Sequence, residues 1–551
     1  MKRIIDYYLL QWKHSSIRKP LLLRGARQVG KTYAARELGK TYESFVEINL
    51  ESDLKAHEAF TGDLDPQEMI LKLHAATKKL ITPGKTLLFI DEIQTVPRAI
   101  IALRYFYEIL PELHVIAAGS LLDFAIQKVG VPVGRIQSLE MHPVSFIEYL
   151  GYNNQVPAEI ILNHEPTQGI KEPTHSIGLE NLLGRYLAIG GMPQAIAHWI
   201  NTQNPLDIAR MHASILNFYR QDFSKYAEKH EIKYVETIFR HIPLQLGHKF
   251  KYSAIEGDYR KRELAPALDL LITAGIAHKV YYSAGQGIPL GAQSDDLDYK
   301  VIFLDVGLTQ TSLGLDITEW FLQPQQEFIK KGALMEAFVG QEIVAYANPH
   351  TNHDLYYWHK DSSPAQAEID YLINIDRKVI PVEVKSGDGR TLKSLHRFLE
   401  SHEQSPYGIK FSTQDYSVYN NIHSYPLYAV AKVMSDFNSD MKNAILCLIS
   451  EPKVINFQAN FGNQSTQIEK TLFDTPPLEE QVIIINFIDD KFKPSLNRTI
   501  NDLNDLFSNK NQMIMNRLHD HHKKLRVIQL MHENVIVWQT AILDHLLKFN
   551  L

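Results

Sequence analysis

The first residues whose types and spacing suit a chemical role lie at 21–35, in LLLRGARQVGKTYAA. Gly25 is separated by four residues from the run Gly30-Lys31-Thr32, which is the G-x-x-x-x-G-K-S/T spacing of a phosphate-binding loop. In such loops backbone N–H groups surround the phosphates, the lysine contacts the β- and γ-phosphates, and the hydroxyl binds Mg²⁺. A strand pattern precedes the loop and a helical pattern follows it, as such a loop requires. We therefore predict that these four residues bind ATP and Mg²⁺, with Lys31 also contributing to catalysis.

A second chemical signal is the acidic pair at the end of residues 85–94, KTLLFIDEIQ. A continuous apolar run of this kind is typical of a strand buried on both faces of a parallel sheet. Ligands bind at the carboxyl ends of such strands, which is where Asp91 and Glu92 fall. We predict that Asp91 holds Mg²⁺ and that Glu92 is the general base for the attacking water. The alternative is an acidic loop after a core strand.

Two further residues are candidates for contact with the γ-phosphate. Ser120 ends the strand pattern of residues 113–124, LHVIAAGSLLDF, beside the acidic pair, where it would sense the phosphate. Serine also favours turns and helix N-caps, which is the alternative for Ser120. Arg135 follows a turn glycine, and we consider it as an arginine finger, acting in cis or from a neighbouring subunit. A surface arginine without a catalytic role is the alternative.

A third set of candidates lies in residues 367–387, AEIDYLINIDRKVIPVEVKSG. Two strand patterns joined by a polar turn carry Asp370 on the first strand, and Glu383 and Lys385 on one face of the second. Carboxylates can hold Mg²⁺ and a nearby lysine can position water at a phosphodiester, so we predict these three residues as catalytic. The pattern resembles the PD-(D/E)xK nuclease core, which implies Glu336, Asp370 and Glu383 as metal ligands. The residue before Asp370 departs from that pattern in not being proline, and a surface ion pair is the alternative for Glu383 and Lys385.

In combination, the motifs resemble a family of bacterial and archaeal AAA-type ATP-binding proteins with a C-terminal domain of formerly unknown function. The resemblance covers roughly residues 1–430 and lies, in chain order, in GARQVGKT, LLFIDEIQ, AAGSLLDF, GRIQSLEMHPVSFIEYL, YLAIGGMPQAI, FYRQDF and KVIFLDVGL. It implies ATP binding and hydrolysis by an AAA+-like module. For most members of this family the cellular function is unassigned.

The middle of the chain combines a predicted loop with a helical module. Residues 151–178 carry prolines and asparagines, which favour a long connecting loop. Residues 232–284 show helix, helix and β-rich patterns in the order of a winged helix. Arg260, Lys261 and Arg262 open its second long helix, where such modules contact DNA. The alternative is a module that only packs against other parts of the protein.

Several other residues are assigned structural roles. Residues 190–193, GGMP, suit a corner between helices. Asp305 suits a local cap or brace and is not counted as catalytic. Arg24 and Arg27 flank the phosphate-binding motif, where they adjust its charge.

The tail, residues 434–551, is predicted to be helical. Residues 475–492, TPPLEEQVIIINFIDDKF, resemble the segment that opens the long helix of type I restriction specificity subunits. Apolar residues at helical spacing follow and favour a coiled-coil hairpin that promotes dimerisation. His519, His521 and His522 suit a solvated face rather than a metal site.

Composition limits the setting in which these residues act. The chain of 551 residues has 45% hydrophobic and 22% charged residues and a net charge of −6, so bulk charge gives no sign of nucleic-acid binding. Its single cysteine excludes an intramolecular disulfide and favours a reducing compartment. We see no apolar run of the length of a membrane span, and predict a cytoplasmic protein without membrane association.

These elements give an α/β fold with several domains. We predict an AAA+-like P-loop domain with a parallel sheet (1–150), a linker and helical lid-like region (151–230), a winged-helix-like module (231–320), a PD-(D/E)xK-like α/β domain (321–433) and a helical tail (434–551). The first functional hypothesis is a Mg²⁺-dependent ATPase coupled to a nuclease-fold domain that binds or cleaves DNA. The second is a nucleotide-switched protein-interaction module with an inactive nuclease-like domain. A homo-oligomer fits either hypothesis.

Overall fold

The computed structural model describes residues 2–449, apart from short stretches, and three strands beyond them. The stretches left out are 131–133, 154, 165–172, 352, 361–366, 387–391, 437 and the part of 450–551 outside those strands. Met1–Ile445 form one compact unit and Leu446–Leu551 a second. Every residue to which the sequence assigns chemistry lies in the first unit.

The N-terminal region is built on a parallel five-stranded sheet. Its strands are β1 (Leu21–Arg24), β2 (Ser44–Asn49), β3 (Thr86–Asp91), β4 (His114–Ala118) and β5 (Gln137–Glu140). Their order across the sheet is β2-β3-β4-β1-β5. All residues of β3 and β4 are buried, as their continuous apolar runs predict. The carboxyl ends of β1, β3 and β4 therefore meet at one edge.

Five helices accompany this sheet: α1 (Ile4–His14), α2 (Lys31–Gly39), α3 (Pro66–Thr77), α4 (Pro97–Ile109) and α5 (Leu122–Val129). Proline at the first position starts α3 and α4, where its missing N–H costs no hydrogen bond. Side chains of β3 and α4, including Ile90, Leu103 and Phe106, share one buried apolar core. This core fixes the edge of the sheet at which the candidate ligands lie.

The middle of the chain is mainly helical. Its helices are α6 (Phe146–Asn153), α7 (Gln155–Asn163), α8 (Pro173–Ile189), α9 (Pro193–Thr202), α10 (Pro205–Tyr226), α11 (Ile232–His241), α12 (Lys261–Thr273) and α13 (Val306–Ser312). The prediction of a loop over residues 151–178 is wrong for the described part, which is mostly helix. Ala158 and Ile161 are buried, so the apolar residues of this stretch outweigh its loop-like composition.

The corner at residues 190–193 and the brace at Asp305 agree with the structure. Asp305 caps α13 by accepting the Leu308 N–H at 2.9 Å, and it also accepts the Gly191 N–H at 2.5 Å. A Cβ at Gly190 would lie 2.3 Å from the Asp305 carboxylate, so this position requires glycine. Asp305 therefore joins two elements and has no role at the candidate site.

A second sheet of eight strands combines segments from the middle and the C-terminal half. Its strands are β6 (Ala277–Ser283), β7 (Ser294–Phe303), β8 (Leu355–Lys360), β9 (Ala367–Ile375), β10 (Lys378–Lys385), β11 (Gly408–Ser412), β12 (Ser417–Tyr419) and β13 (Ile422–Pro426). The order is β12-β13-β11-β10-β9-β8-β6-β7. The β9–β10 hairpin turns at Asp376 and Arg377, where the sequence predicts a turn.

The helices of this half are α14 (Glu319–Leu322), α15 (Pro324–Lys330), α16 (Gly332–Ala345), α17 (Lys393–Ser401), α18 (Val430–Asp436) and α19 (Ser439–Ile449). Helix α16 is buried along most of its length and contacts β7 and β10. Within the described residues, no helix has both the length and the apolar composition to cross a bilayer.

The described part of the tail departs from the helical prediction. Beyond α19 it forms three antiparallel strands, β14 (Pro452–Phe461), β15 (Gln464–Phe473) and β16 (Val482–Phe487). The run VIIINF of β16 is rich in β-branched residues, which favour strands. The start signal at Thr475, the coiled-coil hairpin, and His519, His521 and His522 lie outside the described residues.

Candidate functional site

The phosphate-binding motif forms the turn between β1 and α2, as predicted. Gly25 and Gly30 have φ angles of 126° and 103°, which residues with a Cβ rarely adopt. A Cβ at Gly25 would also lie 2.1 Å from the Met141 carbonyl oxygen. Glycine thus allows the loop to pass close to the chain after β5 and to end at the N-terminus of α2. Helix N-termini of this kind bind phosphate through their free N–H groups and the helix dipole.

Lys31 and Thr32 begin helix α2, and both side chains face the loop and the end of β3. The buried Lys31 ammonium donates to the carbonyl oxygens of Gly25 at 2.7 Å and Ala26 at 2.8 Å. The Thr32 hydroxyl donates to Asp91 Oδ2 at 2.8 Å. The two motifs therefore meet at one place, as the sequence predicts.

Glu92, Ser120 and Gln94 form a cluster at the ends of β3 and β4. Glu92 has a φ of 51°, and its Oε2 accepts a hydrogen bond from Gln94 Nε2 and lies 3.4 Å from the Ser120 hydroxyl. A Cβ on Gly119 would lie 1.9 Å from Gln94 Oε1, so the glycine leaves room for this side chain. Gln94 was not among the residues predicted from the sequence. Its position two residues after Glu92 is the sequence feature that could have indicated it.

Burial dominates the electrostatics of the loop. It lowers the pKa of Lys31 to about 8, although Glu92 and Asp91 act in the opposite direction. Burial also raises the pKa of Asp91, against the hydrogen bond from Thr32. Charges in such a poorly solvated place interact more strongly with phosphate groups than charges at the surface do.

Thr32 and Asp91 fit a magnesium ion that arrives with a nucleotide. Their oxygens adjoin each other at the N-terminus of α2, and both are hard ligands of the kind that Mg²⁺ prefers. Magnesium in such sites takes few protein ligands, because phosphate and water oxygens supply the rest. The two predicted ligands are therefore placed together.

A cavity of about 420 Å³ lies beside the loop, with Gly25 and Ser120 in its wall. This volume falls in the range of small-molecule sites, about 300–1,000 Å³. His142, His278 and His353 line it as well. Burial lowers the pKa of His142 and of His278 to about 4, so both are neutral at pH 7.

The two arginines of the loop are both ion-paired. Arg24 binds Asp123 of α5, and Arg27 binds Asp222 of α10 through both carboxylate oxygens. The Tyr219 hydroxyl on α10 donates to the Arg27 carbonyl oxygen at 2.7 Å. Arg27 thus links the loop to a helix far along the chain, which is more than the charge adjustment predicted for it.

Arg135 lies away from the nucleotide edge. Residue 137, two positions later, begins β5 and pairs with Leu21 at the start of β1, so Arg135 is near the amino ends of the strands. Its guanidinium binds Glu108 at 3.0 Å. The parallel order of β1 and β5 places this residue at the opposite edge, so the predicted arginine finger in cis has no geometric support. A finger from a neighbouring subunit stays a prediction.

The nuclease-like residues converge, but around a lysine. Asp370 of β9 and Glu336 of α16 lie near the ammonium of Lys300, which β7 contributes. The Lys300 Nζ is 2.8 Å from Glu336 Oε1 and 3.9 Å from Asp370 Oδ1, and it also binds Glu368. Lys300 was not among the residues predicted from the sequence. Its position as a single lysine at the start of an apolar strand pattern could have indicated it.

We call Glu336, Glu368, Asp370 and Glu383 the carboxylate cluster. Its last member, Glu383, lies on β10 together with Lys385. The Lys385 ammonium binds Glu383 in an ion pair, and Glu383 itself is buried. Asp370 Oδ2 accepts the Val384 N–H at 2.7 Å. Glu383 and Lys385 therefore form the ion pair of the alternative prediction, but the carboxylate of this pair is buried and not at the surface.

The carboxylate cluster does not fit a divalent metal ion. The Lys300 ammonium lies among Glu336, Glu368 and Asp370, where a metal ion would need their oxygens. Across the described residues, no group of three or more His, Cys, Asp or Glu side chains is arranged to hold a metal ion. The metal role predicted for Glu336, Asp370 and Glu383 thus has no geometric support.

The basic residues predicted to contact DNA lie at the start of α12. Arg260, Lys261 and Arg262 are all exposed, and the Glu263 carboxylate accepts the Arg260 N–H at 2.9 Å. The β6–β7 hairpin that follows α12 is not a free wing, because β6 also pairs with β8 in the second sheet. The exposed basic side chains are placed where they could contact DNA. The β6–β7 hairpin is part of the second sheet and is not available as a wing.

The parallel sheet, the loop and the acidic strand end define a P-loop ATPase-type domain. Comparison with protein families agrees, since residues 17–150 match an AAA domain family, AAA_14. Residues 180–319 match a domain of unknown function, DUF8612, and residues 331–434 match another, DUF4143. A comparison with curated proteins gives no match. The chain therefore combines a nucleotide-binding AAA domain with two regions whose families carry no assigned activity.

Proposed function

We propose that the protein is a Mg²⁺-dependent ATPase. The observation that carries this proposal is the hydrogen bond from Thr32, the neighbour of Lys31 in the loop, to Asp91, the neighbour of Glu92, at the carboxyl edge of the sheet. An anion-binding loop, a metal-ligand pair and a candidate base within one small region are what ATP hydrolysis requires. The matching AAA family supports the same reaction.

Each side chain has a separate task in this reaction. Lys31 neutralises the β- and γ-phosphates, and Glu92 takes the proton of the attacking water. Ser120 holds the Glu92 carboxylate in position and reports on the γ-phosphate. Thr32 and Asp91 hold Mg²⁺, which withdraws charge from the phosphate oxygens when it is bound.

The test is steady-state ATP hydrolysis by the full chain with Mg²⁺. Glu92→Gln is expected to lower kcat by about 100-fold or more while ATP still binds, because only proton transfer is lost. Lys31→Met is expected to abolish ATP binding. Glu112→Gln, an exposed glutamate away from the site, serves as the matched control. Wild-type turnover in Glu92→Gln would disprove its role as base, and absent ATP binding in the wild type would disprove the proposal.

A nucleotide switch is a second proposed function, and the Arg27–Asp222 pair favours it. Phosphate oxygens arriving at the loop compete with Asp222 for the Arg27 guanidinium, because arginine binds phosphate and carboxylate in the same way. Release of Asp222 would loosen α10 from the loop. ATP binding would then be passed to the helical region as a change in the position of α10.

DNA binding is proposed for the middle region, on the basis of the exposed Arg260, Lys261 and Arg262 at the start of α12. The proposal is limited to binding, since the carboxylate cluster does not fit the metal ion that cleavage would need. Replacing the three residues by alanine is expected to weaken duplex binding at all sequences and to reduce its salt dependence. Fluorescence anisotropy measures both, with Arg210→Ala as the control. Equal affinity of both variants and wild type would refute the proposal.

A further inference from the structure

Lys300 is unusually deeply placed for a lysine. It lies on β7, its exposed fraction is 2%, and it is surrounded by side chains from three other elements. Its ammonium contacts Glu336 of α16 and Glu368 of β9, and it lies 5.1 Å from the centre of the Tyr357 ring on β8. Buried lysines of this kind persist only where several acceptors replace the lost water.

Two ammonium groups face the four carboxylates of the carboxylate cluster. Glu336, Glu368 and Asp370 share the Lys300 ammonium, while Glu383 pairs with Lys385. A divalent cation placed among the same oxygens would lie within a few ångströms of the ammonium. Since like charges at about 4 Å repel by several kcal/mol in such surroundings, the ammonium weakens the binding of a divalent cation at this place.

The protonation states support the same assignment. Burial alone would lower the pKa of Lys300, but Glu336, Asp370 and Glu368 outweigh it and raise this pKa above the usual value for lysine. Burial and the neighbouring Asp370 raise the pKa of Glu383 to about 7.

We propose that Lys300 is the permanent cation of the carboxylate cluster and takes the place that the sequence predicts for Mg²⁺. The C-terminal half would then hold a nuclease-like arrangement of side chains in which an ammonium stands at the predicted position of the metal ion. The cation comes from β7, in the region before the predicted nuclease-like domain, so the site is completed by a strand outside that domain. The inference does not depend on ATP hydrolysis.

The test uses Mn²⁺ alone as the probe and the full chain in an Asp91→Asn background, which removes the metal ligand of the ATPase site. Lys300→Met is expected to bind Mn²⁺ at least about tenfold more tightly than the parent, because the competing charge is gone. Adding Glu383→Gln should remove this gain. Titration calorimetry gives the affinity, and the rise in melting temperature with Mn²⁺ gives an independent reading.

Lys300→Arg keeps the charge and is expected to resemble the parent, which separates the effect of charge from damage by substitution. If Lys300→Met does not fold, Mn²⁺ binding is compared between the parent and its Glu383→Gln variant instead. Equal and negligible Mn²⁺ binding by these two supports the proposal. Stoichiometric binding by the parent that Glu383→Gln abolishes would overturn it, as would a folded Lys300→Met without any gain.

Discussion

At the scale of single residues, Glu342 is the most informative carboxylate outside the two candidate sites. It lies on α16 and accepts the Phe146 N–H at 3.0 Å and the Tyr346 hydroxyl at 2.5 Å. Burial raises its pKa to about 8, against these two hydrogen bonds. The start of α6 is thus held by an acid that is largely protonated at pH 7.

This pKa predicts how stability changes with pH. The folded-state pKa of Glu342 lies above the ordinary glutamate value, so its stabilising contribution is complete at low pH and is lost as the pH rises through about 8. Glu342→Gln cannot lose a proton, and its free energy of unfolding relative to wild type should increase by roughly 4 kcal/mol between pH 5 and 9. Urea denaturation at several pH values measures it, with Glu112→Gln as control. A difference that does not vary with pH would contradict the assignment.

At the scale of elements, the loop between β1 and α2 depends on Gly25. In Gly25→Ala, the alanine would have to adopt a φ angle of 126°, which residues with a Cβ rarely do. Its Cβ would also lie 2.1 Å from the Met141 carbonyl oxygen, so the backbone must move. We expect loss of ATP binding and a clearly lower melting temperature. Gly62→Ala is the matched control, because its φ is 70° and its Cβ meets nothing within 4 Å, so that only about 1 kcal/mol of backbone strain is expected. Similar behaviour of the two variants would refute the close-approach argument.

The link from the loop to α10 makes a separate prediction. Asp222→Asn removes the charge that holds Arg27, so we expect tighter ATP binding and a smaller effect of ATP on hydrogen exchange in α10. Asp207→Asn is the control, because it changes the same helix at an exposed pair with Arg210. If the exchange of α10 responds to ATP equally in wild type and Asp222→Asn, this pair does not carry the switch.

The residues that sequence reasoning placed correctly are those whose partners are set by local pattern. Gly25, Lys31 and Thr32 follow from a strand, a loop and a helix in sequence, and Asp91 follows from the end of a buried strand. For contacts between distant segments, the sequence contains no local pattern from which the partners could be predicted. The Arg27–Asp222 pair spans 195 positions, and the partners of Lys300 depend on strand order.

At the scale of the whole molecule, the compact unit Met1–Ile445 predicts which truncations are tolerated. A chain ending at residue 449 keeps α19 and every residue of the ATPase site, and should retain the ATPase rate and melting temperature. A chain ending at residue 330 loses β8, one of the two strands that pair with β6, and also loses Glu342, so it should unfold or aggregate. Calorimetry and ATP hydrolysis distinguish the two. A stable, active chain of 330 residues would show that the first unit is divisible.

The eight-stranded sheet has a consequence for how this protein can change over generations. Strands β6 and β7 lie in the segment matched by one family and β8 to β13 in the segment matched by the next, yet β6 and β8 are hydrogen-bonded neighbours. A genetic exchange that joined the first segment to a foreign second segment would have to rebuild this strand pairing and the setting of Lys300. The two segments are therefore expected to be inherited together, as one unit of recombination.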